Sequence, residues 1–156
     1  MQGISLSKIE ISDLLKITTP FLFIDHVDCL IPGQSARSHL SLKKEDWFFE
    51  CHLPSEQVMP GTLLAEAMLQ TLVLTIYTLE GHHGKPSFVV EMQIKVLSKI
   101  SPEMKLIIEA KLISYKRGVA KGEVMILAGN EQVCEGYFTY VSPHALPRPE
   151  DRVSVV

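Results

Sequence analysis

From residue 62 to residue 80 the chain runs without a glycine or a proline, and Gly81 follows. Such a run predicts one helix of about 28 Å, closed by glycine. Apolar side chains fall on nearly every side of that helix, so it must be buried all round, and the remaining chain has to enclose it. A membrane span is the competing reading, but Glu66 and Gln70 interrupt the apolar run and no anchoring residues flank it. The chain is expected neither to cross nor to bind a membrane.

The enclosing material reads as β-structure. After Pro86 come runs at 87–97, 104–115, 119–127 and 132–141, rich in Val, Ile, Leu and Tyr and partly alternating. The links Lys116-Arg117-Gly118 and Ala128-Gly129-Asn130-Glu131 are short, which predicts antiparallel neighbours. Before the helix, runs at 21–31 and 36–42 flank Pro32-Gly33-Gln34, a hairpin signal. An amphipathic helix over 7–17, capped at Ser7 and closed by Pro20, precedes them. Residues 43–61 read as an irregular loop because of Pro54 and Pro60. The expectation is an α+β domain: one long buried helix and a mainly antiparallel sheet of about six strands. Residues 1–142 form that single domain, and 143–156, with Pro143, Pro147 and Pro149, form a flexible Pro-rich C-terminal tail.

With 156 residues there is room for one catalytic core. Fifteen basic and 18 acidic residues are mixed along the chain, so no field draws in nucleic acid. Three scattered cysteines without CxxC spacing fit a reducing compartment. No basic stretch followed by an apolar run opens the chain, so the expected location is cytoplasmic.

The sequence lacks GxSxG, GxGxxG, P-loop and HExxH patterns. His82-His83 lies in a glycine-flanked loop without ligand partners at metal spacing and reads as solvated. Cys51 reads as a packed thiol. Glu66 is the anomaly, a carboxylate near the start of an apolar helix, where burial would hold it protonated. The alternatives for it are a surface-seeking side chain or a first-turn acceptor. His52 lies fourteen residues upstream, ahead of the proline-bounded loop. An imidazole base and a protonated carboxylic acid are the parts that remove a proton beside a carbonyl and expel a hydroxyl.

Three stretches carry a family resemblance. Pro20-Phe21-Leu22-Phe23-Ile24-Asp25-His26-Val27 resembles Pro-Phe-Leu-x-x-Asp-x-Val, and Phe48-Phe49-Glu50-Cys51-His52-Leu53-Pro54 resembles Phe-Phe-x-Gly-His-Phe-Pro. Pro60-Gly61-Thr62-Leu63-Leu64-Ala65-Glu66-Ala67-Met68 resembles the helix start Pro-Gly-x-Leu-x-x-Glu/Asp-Ala-Met. These are patterns of the hotdog-fold 3-hydroxyacyl-(acyl-carrier-protein) dehydratases of fatty acid synthesis, the FabZ/FabA-like enzymes. The chain departs from them in its loop, with Cys51 for glycine, Leu53 for phenylalanine, and Ser55 and Gln57 for a following glycine and proline.

The resemblance implies a hotdog fold, a homodimer or an oligomer of dimers, and a site that takes His52 from one chain and Glu66 from the other. It implies dehydration of a 3-hydroxyacyl thioester, linked to acyl carrier protein or CoA, to the trans-2-enoyl product, without metal or cofactor. His52 would be the base and Glu66 the acid; the Gly61 N–H would face the thioester carbonyl, and the Val58 carbonyl would hold the second histidine nitrogen. Two alternatives stay open at this stage, a hotdog acyl-thioesterase and a non-catalytic acyl-binding or assembly subunit.

Overall fold

The computed structural model describes residues 2–152. In chain order its elements are β1 (Ile4–Leu6), α1 (Lys8–Leu15), β2 (His26–Ile31), β3 (Ser35–Ser41), α2 (Trp47–Cys51), α3 (Gly61–Tyr77), β4 (Phe88–Val96), β5 (Lys105–Lys116), β6 (Val119–Ala128) and β7 (Glu131–Val141). The seven strands form one sheet in the order β1-β2-β3-β5-β6-β7-β4. Every neighbouring pair is antiparallel. α3 follows β3 in the chain, yet β4 lies at the opposite edge of the sheet, so the helix must cross the sheet face. Its packing on β2, β3, β5, β6 and β7 records that crossing.

From Leu64 to Ile76 every residue is buried except Glu66. A fully buried aliphatic side chain contributes about 1.5–3 kcal/mol, and Leu64, Leu72, Leu74 and Ile76 all qualify. Two glycines let the sheet approach the helix. A Cβ on Gly122 would lie 2.5 Å from Leu72 Cδ1, and one on Gly136 would lie 2.7 Å from the Phe138 ring and 2.8 Å from Met68 Cε. Thr71, Thr75 and Thr78 stay compatible with burial by donating to the carbonyls of Ala67, Leu72 and Leu74.

The structure departs from the sequence expectations in several places. β1 makes seven strands instead of about six; at three residues it is too short to show alternation, and its register, Ile4 to Leu30 and Leu6 to Val27, is set by β2. The run from 21 becomes a strand only at His26. Ahead of it the side chain of Gln70 occupies the backbone, with Phe23 N–H donating to Gln70 Oε1 at 3.0 Å and Gln70 Nε2 donating to Phe21 O at 2.8 Å. α1 ends at Lys16, which turns left-handed at φ 57° and donates to Ser12 O, ahead of Pro20. Its start is the expected Ser7, joined to Glu10 in a reciprocal cap. α3 begins one residue earlier than expected and ends three earlier, and the short helix α2 lies inside the expected loop.

The segment expected as a tail begins with 3₁₀ turns at Pro143–Ala145 and Pro149–Arg152, and residues 153–156 lie outside the described residues. Buried Ser142 anchors its start, donating its N–H to Gly118 O at 2.7 Å. Among the described residues no helix is long and apolar enough to cross a membrane.

β4 differs from the other long strands. It pairs only with β7. Along it Phe88, Val90, Met92 and Val96 are all exposed, Val90 to 62%. An open strand edge carrying apolar side chains is a surface that invites another strand.

Candidate functional site

The loop that carries His52 is anchored at both ends. Phe48 and Phe49 of α2 are buried, and His52 caps that helix, donating its N–H to Phe48 O at 3.0 Å. Seven residues on, buried Met59 donates its N–H to Ile100 O at 2.8 Å. The chain reverses between these anchors, with Glu56 N and Gln57 N both donating to Leu53 O. Leu53 and Gln57 supply the reversal with left-handed φ values of 45° and 48°. A proline ring cannot adopt that φ, so at Gln57, where the family pattern has proline, the backbone follows a path closed to proline.

The reversal brings His52 Nδ1 to 3.0 Å from Val58 O. A carbonyl oxygen only accepts, so Nδ1 bears the hydrogen and the lone pair of the neutral ring lies on Nε2. No hydrogen bond among the described residues engages Nε2. The half-buried imidazole is therefore oriented and presents an acceptor.

Gly61 opens α3, with Pro60 before it and no side-chain cap. The first-turn amides of a helix have no acceptor within the helix and carry the positive end of its dipole. A Cβ on Gly61 would lie 3.4 Å from Val96 Cγ2, so the helix start sits beside the end of β4.

Glu66 stands one and a half turns into α3. It is half-buried, and burial raises its carboxyl above the ordinary value, with the hydrogen bond from Gln70 Nε2 at 3.1 Å acting in the opposite direction. It lines a groove of 240 Å³ together with Gln70, Val73, Tyr77, Val89 and Tyr140. Tyr140 donates to Leu69 O at 3.0 Å, and burial followed by the field of Glu66 pushes its phenol well above the usual range. A larger hollow of 740 Å³ lies among Arg37, Glu109, Lys111, Glu123 and Tyr137 on the sheet face turned from α3 and includes neither His52 nor Glu66. Of the two, only the smaller groove holds one of the expected reacting groups, Glu66, so it is the candidate site.

Within one chain His52 does not line the groove that holds Glu66, and no hydrogen bond joins the two. The loop departures lie at the surface: Cys51 is exposed, with Sγ 3.4 Å from Trp47 O, and Leu53 is 55% exposed. Cys51 is therefore not a packed thiol, because it lies at the solvent end of α2.

Sequence reasoning missed Gln70 as the group that ties Glu66 to the 21–23 segment. A polar residue four positions after a carboxylate in an apolar helix was the available signal. His82 also differs from expectation. Its Nε2 lies 2.8 Å from Tyr115 Oη and its Nδ1 3.0 Å from Glu80 O, so it is held at the end of the sheet, and only His83 is exposed.

A family profile described as "FabA-like domain" matches residues 17–137. The 3-hydroxyacyl-(acyl-carrier-protein) dehydratase FabZ of Caldicellulosiruptor bescii is 30% identical over 128 residues, which is 81% of this chain and 91% of that protein. The FabZ of Syntrophomonas wolfei is 30% identical over 141 residues, 90% of this chain and 98% of that one. Among solved structures, zebra fish thioesterase superfamily member 2 superposes with a TM-score of 0.69 at 15% identity, over 86% of this chain and 94% of its own. An uncharacterized protein from Pyrococcus horikoshii gives 0.67 at 16%, over the same shares. At such identities the two structures speak to the fold alone.

Proposed function

The chain belongs to the FabA-like family and has the hotdog fold, and from that premise we propose that it dehydrates 3-hydroxyacyl thioesters carried on acyl carrier protein, in fatty acid synthesis. The observation that carries this reading is the placement of the two reacting groups: an imidazole whose Nδ1 is held at the Val58 carbonyl, leaving Nε2 unengaged among the described residues, and a half-buried carboxyl whose pKa burial raises. Elimination of water beside a thioester carbonyl needs one of each.

The thioester carbonyl sits against the Gly61 N–H at the positive end of α3, where charge developing toward an enolate is stabilised. His52 Nε2 takes a proton from C2, and the Val58 carbonyl supports the imidazolium through Nδ1–H. Glu66 gives its proton to the C3 hydroxyl; the C3–O bond breaks, water leaves, and the C2–C3 double bond of the trans-2-enoyl thioester forms. The histidine has gained one proton and the glutamic acid has lost one, so passing a proton back restores the site. This chemistry draws on no metal or organic cofactor.

Two copies complete the site. The apolar open edge of β4 lies next to the start of α3 through Val96 and Gly61, so pairing of two chains along β4 would bring the His52 loop of one toward the Glu66 groove of the other. The reaction belongs in the reducing cytoplasm, consistent with the free thiols of Cys29, Cys51 and Cys134. The test is to incubate the purified protein with 3-hydroxyacyl thioesters and follow enoyl product and free thiol in the same samples. Enoyl product without thiol is the expected result; thiol release would make the protein a thioesterase, and ligand retained without either product would make it a binding subunit.

A further inference from the structure

The groove beside Glu66 has a direction and a built end. Leu69, Gln70, Val73 and Tyr77 follow Glu66 along one stripe of α3, and Leu15 and Val89 face them. No residue of α3 ahead of Glu66 lines the groove, so with Glu66 at C3 the acyl chain beyond C3 has the stripe toward Tyr77 to follow. From Glu66 to Tyr77 the helix rises about 16 Å, less the reach of the two side chains themselves.

At the far end the polar groups are already mutually engaged. Ser87 N–H donates to Tyr77 Oη at 3.0 Å, and Tyr77 Oη lies 3.4 Å from Ser87 O as its donor. Ser87 Oγ and the buried Ser142 Oγ are 2.7 Å apart. An alkyl chain pushing past this set would leave an amide and several hydroxyls unpaired and would gain nothing polar in exchange. The Tyr77 ring is tied to the start of β4 and closes the groove as a wall.

We infer that Tyr77, held by Ser87, sets the acyl-chain limit of this site, so that its substrates are short- to medium-chain 3-hydroxyacyl thioesters. The limit is set by the length of that stripe, about 16 Å of helix less the reach of the two side chains. The inference rests on the dehydration reading for its starting point at Glu66.

The experiment compares the wild-type protein with Tyr77→Ala on 3-hydroxyacyl thioesters of about four to about sixteen carbons on one carrier, read relative to the shortest. In the wild type kcat/KM rises by about fourfold per added methylene and then stops rising within the series, where the wall is met. Tyr77→Ala moves that break to chains longer by about two to four carbons. A wild-type profile that climbs through the longest chain, or a break that Tyr77→Ala leaves in place, overturns the inference. Should Tyr77→Ala not fold, Tyr77→Leu shortens the wall with less loss of core volume, and the same shift is required of it. If no chain length gives enoyl product, the dehydration reading has failed separately. The limit is then read from the Kd of non-reacting S-alkyl thioether analogues of the same lengths by titration calorimetry. A break in Kd that moves with the Tyr77 variant upholds the wall, and its absence overturns it.

Discussion

Replacing Gln70 by leucine tests how the fold and the site are joined. The Gln70 amide makes three hydrogen bonds: to Phe21 O at 2.8 Å, from Phe23 N–H at 3.0 Å and to Glu66 Oε1 at 3.1 Å. Leucine fits the volume and the apolar surroundings but makes none of them. The Phe23 N–H belongs to a buried residue and has no water to turn to, so losing its acceptor costs about 1–3 kcal/mol. Phe21 is 47% exposed, so its carbonyl recovers part of its loss from solvent and adds up to about 1 kcal/mol. Glu66 is also solvated in part and adds little, while leucine returns some transfer energy. The net expectation is a loss of about 2–3 kcal/mol. Urea denaturation at one fixed protein concentration reads it as a lower midpoint with an unchanged slope. Gln70→Leu also removes the hydrogen bond that holds the Glu66 carboxyl down, so the acidic groups in the rate profile should move upward in pH. A variant within about 0.5 kcal/mol of the wild type would show that the 21–23 segment is held by something other than Gln70.

Three further outcomes follow from the same structure. Burial raises the Glu66 carboxyl in the folded chain, so the folded state binds its proton more tightly than the unfolded one, and that stability is complete below the ordinary value of 4.5 and is lost as pH rises through the raised value. Thermal melts of Glu66→Gln against wild type should therefore show a gap in favour of the variant that opens as pH rises; a gap constant from acid to neutral pH would contradict the assignment. Alkylation of the native protein near neutral pH should modify exposed Cys51 and spare buried Cys134, whose thiol burial pushes up to about 11; equal labelling before unfolding would refute this. Leu72→Ala, under the Gly122 approach, should cost about 2–5 kcal/mol in chemical denaturation, and a cost under about 1 kcal/mol would mean that α3 is not gripped there.

The long helix was legible because burial on all sides and the absence of glycine and proline leave a chain no other solution. The paired strands of 104–141 were legible because Val, Ile and Tyr alternate between short glycine-bearing turns. β1 and α2 were not. Three and five residues are too few for a period to show, and both are made stable by tertiary partners: Leu30 and Val27 opposite β1, and buried Phe48 and Phe49 under α2. The start of β2 was misjudged because a side chain distant in sequence, Gln70, competes for backbone groups that local pattern assigns to a strand. At the site, Glu66 stood out by chemistry alone, whereas His52 gained meaning only through its motif. Its contact with Val58 O depends on left-handed turns at Leu53 and Gln57 that neither residue type announces. The separation of His52 from the Glu66 groove within one chain is a property of topology, which residue spacing does not encode.

The central claim is that each reacting centre joins His52 of one chain to Glu66 of another. The most direct measurement is to unfold His52→Ala and Glu66→Gln together, refold the mixture, and compare its dehydration rate with those of the two parents. Each parent homodimer should be nearly inactive, but in a mixed dimer one of the two sites receives both an intact His52 and an intact Glu66. Random pairing should restore about a quarter of the wild-type rate per site. A mixture no more active than its parents, once mixed dimers are shown to form, would place both residues in a site of one chain or remove one of them from the reaction.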